Sequence, residues 1–198
     1  MEEYKPYLMW DNSDKDGHAE TIIDYVISWC LRCTKYPFIK EIKPILYRYC
    51  IFMLCKLLDR LQEMDNIEIE DVRVWKQERY VDLWIEVDLK NADREEKHAI
   101  LIENKYYSLV HDNQLKRYRD IFEEYYRDKG KYQPNNQYLH YALISCLYPN
   151  NPHYDFLKDA ASKDGYTLYH LYDLTDPSLN YKESESDIFN ELFIRGWV

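Results

Sequence analysis

Glycine is scarce in this chain: 198 residues contain four, and neither an internal repeat nor a low-complexity tract accompanies them. With 46% apolar and 31% charged residues, the composition argues against disorder and for a packed core. No apolar run reaches bilayer length before Arg, Lys or Asp interrupts it, so no membrane partner is expected. The opening Met1-Glu2-Glu3-Tyr4-Lys5 lacks a basic start followed by an apolar stretch, which argues against secretion and for a cytoplasmic protein. Basic charge is also in deficit. A formal net charge of −10 opposes general affinity for phosphate backbones. The deficit is uneven, because residues 21–60 hold seven Lys/Arg against three Asp/Glu, and a locally basic cleft on an acidic body stays available. The length suits one domain, taken as residues 1–198.

Five cysteines are present. Cys30, Cys33, Cys50 and Cys55 form two close pairs that could make a four-cysteine zinc or iron–sulfur site, and Cys146 stands alone. Both pairs lie in apolar stretches of helical period, where cysteine behaves as a small buried hydrophobe, so reduced core thiols are the expectation.

Apolar residues at Ile22, Ile23, Val26, Ile27, Cys30 and Cys33 predict a helix over about 17–34, ended by Pro37. A second helix is predicted over about 41–64, with Pro44 in its first turn and Ile45, Leu46, Tyr49, Phe52, Met53, Leu57 and Leu61 facing the core. Strands follow at about 70–77 and 79–88, with a tight turn between them. A polar loop over Asn91–Glu96 leads to a third strand at 98–104. A long amphipathic helix over about 112–130 closes at Gly130, and a strand spans 137–147. A short helix (153–163), a strand (Thr167–Leu171) and a final helix (185–195) capped by Ser184 or Ser186 complete the chain. This order predicts an α/β fold with a mixed sheet flanked by helices, preceded by two N-terminal helices.

The chemistry concentrates in two apolar runs. Tyr80-Val81-Asp82-Leu83-Trp84-Ile85 carries an acid inside a strand pattern, and Ala99-Ile100-Leu101-Ile102-Glu103-Asn104-Lys105 ends in acid, amide and ammonium. Charges at buried strand ends are costly unless something binds them. Asp82 and Glu103 are spaced for neighbouring strands, and the period of two sends Glu103 and Lys105 to one face. Two carboxylates and the backbone carbonyl of Asn104 would suffice for Mg²⁺, which keeps several waters, with Lys105 alongside.

The stretch from Asp82 to Lys105 resembles the PD-(D/E)XK nuclease superfamily. Ile102-Glu103-Asn104-Lys105 followed by Gln114-Leu115-Lys116-Arg117-Tyr118 is similar to a branch carrying Ile-Glu-Asn-Lys and then Gln-Leu-x-x-Tyr. The likeness covers about residues 18–120, and Val81 stands at the nominal proline. It implies a restriction-endonuclease-like fold and a nuclease using Mg²⁺ or Mn²⁺ on nucleic acid, DNA first, and it leaves room for a homodimer. Asp82 and Glu103 would be metal ligands and Lys105 catalytic. Glu20, matching a glutamate on an N-terminal helix, would be a direct or outer ligand. Gln114 and Tyr118 would orient Lys105 or the substrate phosphate, and Glu78 matches a strand glutamate common in the branch.

Other features have plainer readings. Glu78 and Glu86 read as exposed strand residues, His98 and His111 flank the site without a role, and a first-turn acid such as Glu20 also suits a helix dipole. Lys116, Arg117 and Arg119 could grip phosphates or form a solvated helix face. Tyr106, Tyr107, Tyr125 and Tyr126 could stack bases, although packing explains most tyrosines. The rival function is a nuclease-fold binding or assembly module of a defence or mobile-element system with little or no cleavage.

Overall fold

The computed structural model describes residues 19–91, 94–128 and 137–195. Its centre is one five-stranded sheet in the spatial order β1-β2-β3-β4-β5, which is also chain order. β1 (Glu68–Glu78), β2 (Val81–Asn91) and β3 (Arg94–Lys105) form an antiparallel meander. β4 (Gln137–Ser145) and β5 (Thr167–His170) then add in parallel. Each parallel step needs a crossover, supplied by α4 (Gln114–Asp128) and α5 (Pro152–Asp164). The mixed sheet flanked by helices is therefore the architecture that the element order predicts.

Side-chain alternation divides the core in two. Leu83, Ile85, Val87, Leu89, Ile100 and Ile102 pack against α1 (Ala19–Cys33), α3 (Pro44–Leu57) and the C-terminal Phe189 and Phe193. Trp84, Ala99, Leu101 and Leu143 face α4 and α5 through Leu115, Phe122, Tyr126 and Leu157. Both faces are covered there, which explains why β3 is apolar without alternation over Ala99–Ile102.

Several boundaries differ from the sequence reading. The helix expected over 41–64 is two: α2 (Pro37–Ile42) and α3, separated at Lys43 with φ −141° and ψ 64°. The Pro44 ring excludes helical geometry from the residue before it. Pro37 likewise begins α2 instead of merely ending α1. α3 stops at Leu57 because Asp59 turns left-handed (φ 57°), and the Arg60 N–H returns to the Cys55 carbonyl at 2.8 Å. Leu61 consequently leaves the core and is 37% exposed. β2 and β3 run through most of the stretch read as the loop Asn91–Glu96, since Lys90 faces Glu95 and Asp88 faces Lys97. Opposite charges directly across a ladder stabilise it. The expected closure of α4 at Gly130 lies outside the described residues. The final helix is a short α6 (Asp187–Phe189), capped by Ser186 and continuing as π-helical turns to Arg195.

All five cysteines are buried and free. Cys50 lies beside both Cys33 and Cys30 between α1 and α3. Burial pushes the Cys50 thiol well above its usual range, as the contact with Cys50 and burial do for Cys33. Among the described residues no three His, Cys, Asp or Glu side chains are disposed to hold a metal ion.

His98 does not flank the acidic strand ends. It lies five residues before Glu103 along β3, about 17 Å away at strand rise. There its Nδ1 meets His140 Nε2 at 3.0 Å and its Nε2 meets Glu96 at 3.2 Å. Arg60 holds Glu96 (2.7 Å) and Glu63, and Tyr138 stacks on the His98 ring. Burial, the neighbouring His98 and Arg60 push His140 down to about 4. His98 is also lowered, by burial and Arg60, against the pull of Glu96 and Glu63. The folded state therefore binds fewer protons here than the unfolded chain. Stability is full above about pH 6.5 and falls as pH drops towards 4, by about 2–3 kcal/mol for His140. Denaturant unfolding of wild type and His140→Gln between pH 7 and pH 4.5 checks this: the variant should lose less stability in acid, and parallel profiles would refute it.

Candidate active site

The antiparallel register places the acids together. Leu83 pairs with Ile102, and one step further brings Asp82 opposite Glu103 at the sheet end. Asp82, Glu103 and Lys105 share the face of Trp84 and Leu101, towards α4, whereas Asn104 turns to α1. Asp82 Oδ2 accepts the Asn104 backbone N–H at 2.8 Å, locking the strand ends together. The Asp82 and Glu103 carboxyls are close enough to perturb each other's titration.

Glu103 is 1% exposed. Its Oε1 accepts from Lys105 Nζ at 2.7 Å and from Gln114 Nε2 at 2.6 Å. Its Oε2 is buried with no hydrogen-bond partner. Burial and the adjacent Asp82 charge push the Glu103 carboxyl up to about 8, against the pull of Lys105. Asp82 is raised as well, by burial and by Glu20, while the Asn104 N–H and Lys105 oppose. Burial works against the charge of Lys105, yet Glu103, Glu20 and Asp82 outweigh it and hold the ammonium above the usual lysine range.

The helices complete the constellation. Glu20, in the first turn of α1, accepts from the Tyr106 backbone N–H (3.1 Å) and Ser108 Oγ (2.6 Å) and so braces the chain leaving β3. Gln114 opens α4. Its Nε2 reaches both Glu103 and the Tyr118 hydroxyl (3.3 Å), and its Oε1 accepts the His111 N–H at 3.2 Å. Gln114 thus positions Glu103, where the sequence reading had it serving Lys105 or a phosphate, and Tyr118 sits behind Gln114. Lys116 and Arg119 pair with Asp120 and Glu123 along α4, the solvated face of that helix, while Arg117 lies over the Tyr118 ring at 5.1 Å.

Sequence reasoning missed Asp24. It is 4% exposed on α1 and receives a hydrogen bond from the Asn104 side-chain amide. Burial, then the Asp82 and Glu20 charges, push it up to about 7. The available signal was its place four residues after Glu20, on the same helix face, amid core positions Ile23, Val26 and Ile27.

Three carboxyls, Glu20, Asp82 and Glu103, thus surround Lys105, and Asp24 adds a fourth beside Asp82 and Glu20. An uncompensated buried carboxylate oxygen beside a second carboxylate is costly, and a hard dication relieves it. The pair Asp82 and Glu103 fits Mg²⁺, which needs only one or two carboxylates and keeps its waters.

No curated protein and no solved structure matches the chain. The family model described as the PD-(D/E)XK nuclease superfamily matches residues 26–187, which include Asp82, Glu103, Lys105, Gln114 and Tyr118 and leave out Glu20 and Asp24. With a match of that extent laid over a mixed α/β sheet of restriction-endonuclease-like form, the chain belongs to the PD-(D/E)XK nuclease superfamily.

Proposed function

We propose that this protein is a metal-dependent nuclease that hydrolyses phosphodiester bonds, with DNA as substrate and Mg²⁺ or Mn²⁺ as cofactor. One observation carries the reading: Glu103 keeps a buried Oε2 without a hydrogen-bond partner beside Asp82, while Lys105 and Gln114 hold its other oxygen. Asp82 and Glu103 would hold the ion with the Asn104 carbonyl, and Glu20, engaged by the Tyr106 N–H and Ser108 Oγ, would act as an outer ligand. A bound dication lowers the pKa of coordinated water and offsets charge on a phosphate.

The chain's own residues do the remaining work. Gln114, fixed by the His111 N–H and Tyr118, keeps Glu103 from rotating away. Lys105 keeps its proton and carries a positive charge at the mouth of the site, where it steadies negative charge on the phosphate oxygens. Glu20 anchors the Tyr106–Ser108 turn and so fixes the backbone that presents Lys105.

Purified protein incubated with single- and double-stranded DNA and RNA should cut DNA with Mg²⁺ or Mn²⁺ and lose activity in chelator. Absence of cutting on every substrate would favour the binding-module reading. A readout independent of activity is thermal: Mg²⁺ or Mn²⁺ should raise the unfolding midpoint, since a ligand that binds only the folded state stabilises it. Asp82→Asn should abolish that rise. In chelator the same variant should be more stable than wild type by about 1 kcal/mol, because a charge leaves the crowded acids. An undiminished metal-induced rise in Asp82→Asn would remove Asp82 from the ligand set.

A further inference from the structure

A cavity of about 150 Å³ opens between the β1–β2 turn and α4, lined by Trp75, Glu78, Arg79, Trp84, Glu86 and Tyr125. Pockets for drug-sized ligands begin near about 300 Å³, so this one admits a single small ring system. Its walls are aromatic. Trp75 and Trp84 are cross-strand partners, and Tyr125 meets Trp84 edge-on with centroids 5.0 Å apart. The Arg79 guanidinium lies 5.4 Å from the Tyr125 ring. Carboxylates complete it: Glu78 half-exposed at the mouth, and Glu86 held inside by the Tyr126 hydroxyl at 3.1 Å and by Arg73.

The turn that shapes the mouth goes against local preference. Glu78 pairs with Val81, so Arg79 and Tyr80 are the two central residues, and both have left-handed backbones (φ 53° and 73°). Asn-Gly is the favoured pair for such a turn. Strained residues of this kind persist where their surroundings impose them, and they cluster at binding sites. One wall of the cavity, Trp84, stands two residues along β2 from Asp82. Asp82 and Trp84 share one face of β2 at a spacing of about 7 Å, about two steps of B-form rise.

We propose that this cavity binds one unpaired base of the strand whose phosphate lies at Asp82 and Glu103, and that it selects a base with an exocyclic amine over thymine. The inference rests on the nuclease reading and adds a substrate preference to it. Trp75, 40% exposed, supplies a π-face for stacking, which any base satisfies. Selection comes from the Glu78 carboxylate at the mouth: it accepts from the amino group of cytosine or adenine, whereas thymine presents a carbonyl oxygen there. Arg79 donates to the neighbouring acceptor on the same base edge.

The test uses the full chain carrying Lys105→Ala, with Mg²⁺ and again with chelator, and fluorescence anisotropy of short oligo-dC and oligo-dT. Oligo-dC should bind several-fold more tightly than oligo-dT. Adding Trp75→Ala should weaken oligo-dC binding about tenfold, and Trp75→Phe should restore most of it. Glu78→Gln should narrow the difference between the two oligonucleotides, because an amide can both accept and donate. Replacing the turn by Arg79→Asn with Tyr80→Gly should raise the thermal midpoint by a few degrees while weakening oligo-dC binding. Equal binding of both oligonucleotides, or indifference to Trp75→Ala in a protein of unchanged thermal midpoint, overturns the pocket. If wild type cuts DNA and the pocket variants do nothing, the pocket falls and the nuclease stands. If base selection holds and nothing is cut, the pocket stands and catalysis falls. Failure to bind any oligonucleotide removes both.

Discussion

Lys105→Ala is expected to slow metal-dependent cleavage by about 10²–10³-fold, the usual cost of removing one preorganised group that stabilises transition-state charge. Lys105 is 8% exposed and makes a 2.7 Å contact to Glu103. Its charge is therefore delivered at low dielectric, where it counts for more than at the surface. Metal binding should survive, because Asp82 and Glu103 remain and Gln114 still holds Glu103. The metal-induced thermal rise should be as large as in wild type or larger, since a competing positive charge has gone. Cleavage within tenfold of wild type would take Lys105 out of the mechanism. A lost thermal rise would mean that the substitution dismantled the site instead.

Trp84→Ala is expected to produce the largest loss of stability. The indole is 2% exposed, contacts Phe122 (centroids 4.6 Å), Tyr125 (5.0 Å) and Tyr126 (5.9 Å), and donates to the Tyr126 hydroxyl at 2.8 Å. Removing a buried aromatic of this kind costs about 3–5 kcal/mol, since the surrounding rings only partly refill the cavity. At about 2–4 °C per kcal/mol for a chain of this size, the thermal midpoint should fall by about 6–20 °C. Trp84→Phe, which keeps ring contacts and loses the hydrogen bond, should fall less. A midpoint within two degrees of wild type for Trp84→Ala would show that the α4 face of the sheet contributes little to the fold.

The strands were the most legible part of the chain, for a reason visible in β2 and β3. Alternation of Leu83, Ile85 and Val87 with Asp82, Trp84 and Glu86 assigns each side chain to a face before any neighbour is known. That alternation also put Glu103 and Lys105 on one face. Lys43 shows the opposite case. Apolar spacing continues across it, so periodicity suggests one helix, and the break arises from the local clash with Pro44. His98 looked close to the acids in sequence but lies five residues before Glu103 within β3, and five residues in extended chain cover far more distance than in a helix. The partner of Gln114 depended on how α4 docks on β3, which the Gln-Leu-x-x-Tyr spacing does not encode.

Taken alone, the sequence determined the element types, the two-sided sheet and the convergence of Asp82, Glu103 and Lys105, because strand period and hairpin register are local properties of the chain. Only the tertiary structure decided that Asp24 joins them from α1, that Gln114 restrains Glu103, and that Glu103 keeps a buried oxygen without a hydrogen-bond partner. Those outcomes depend on the packing of helices from distant parts of the chain against one sheet end. Burial and charge proximity exist only once that packing has formed.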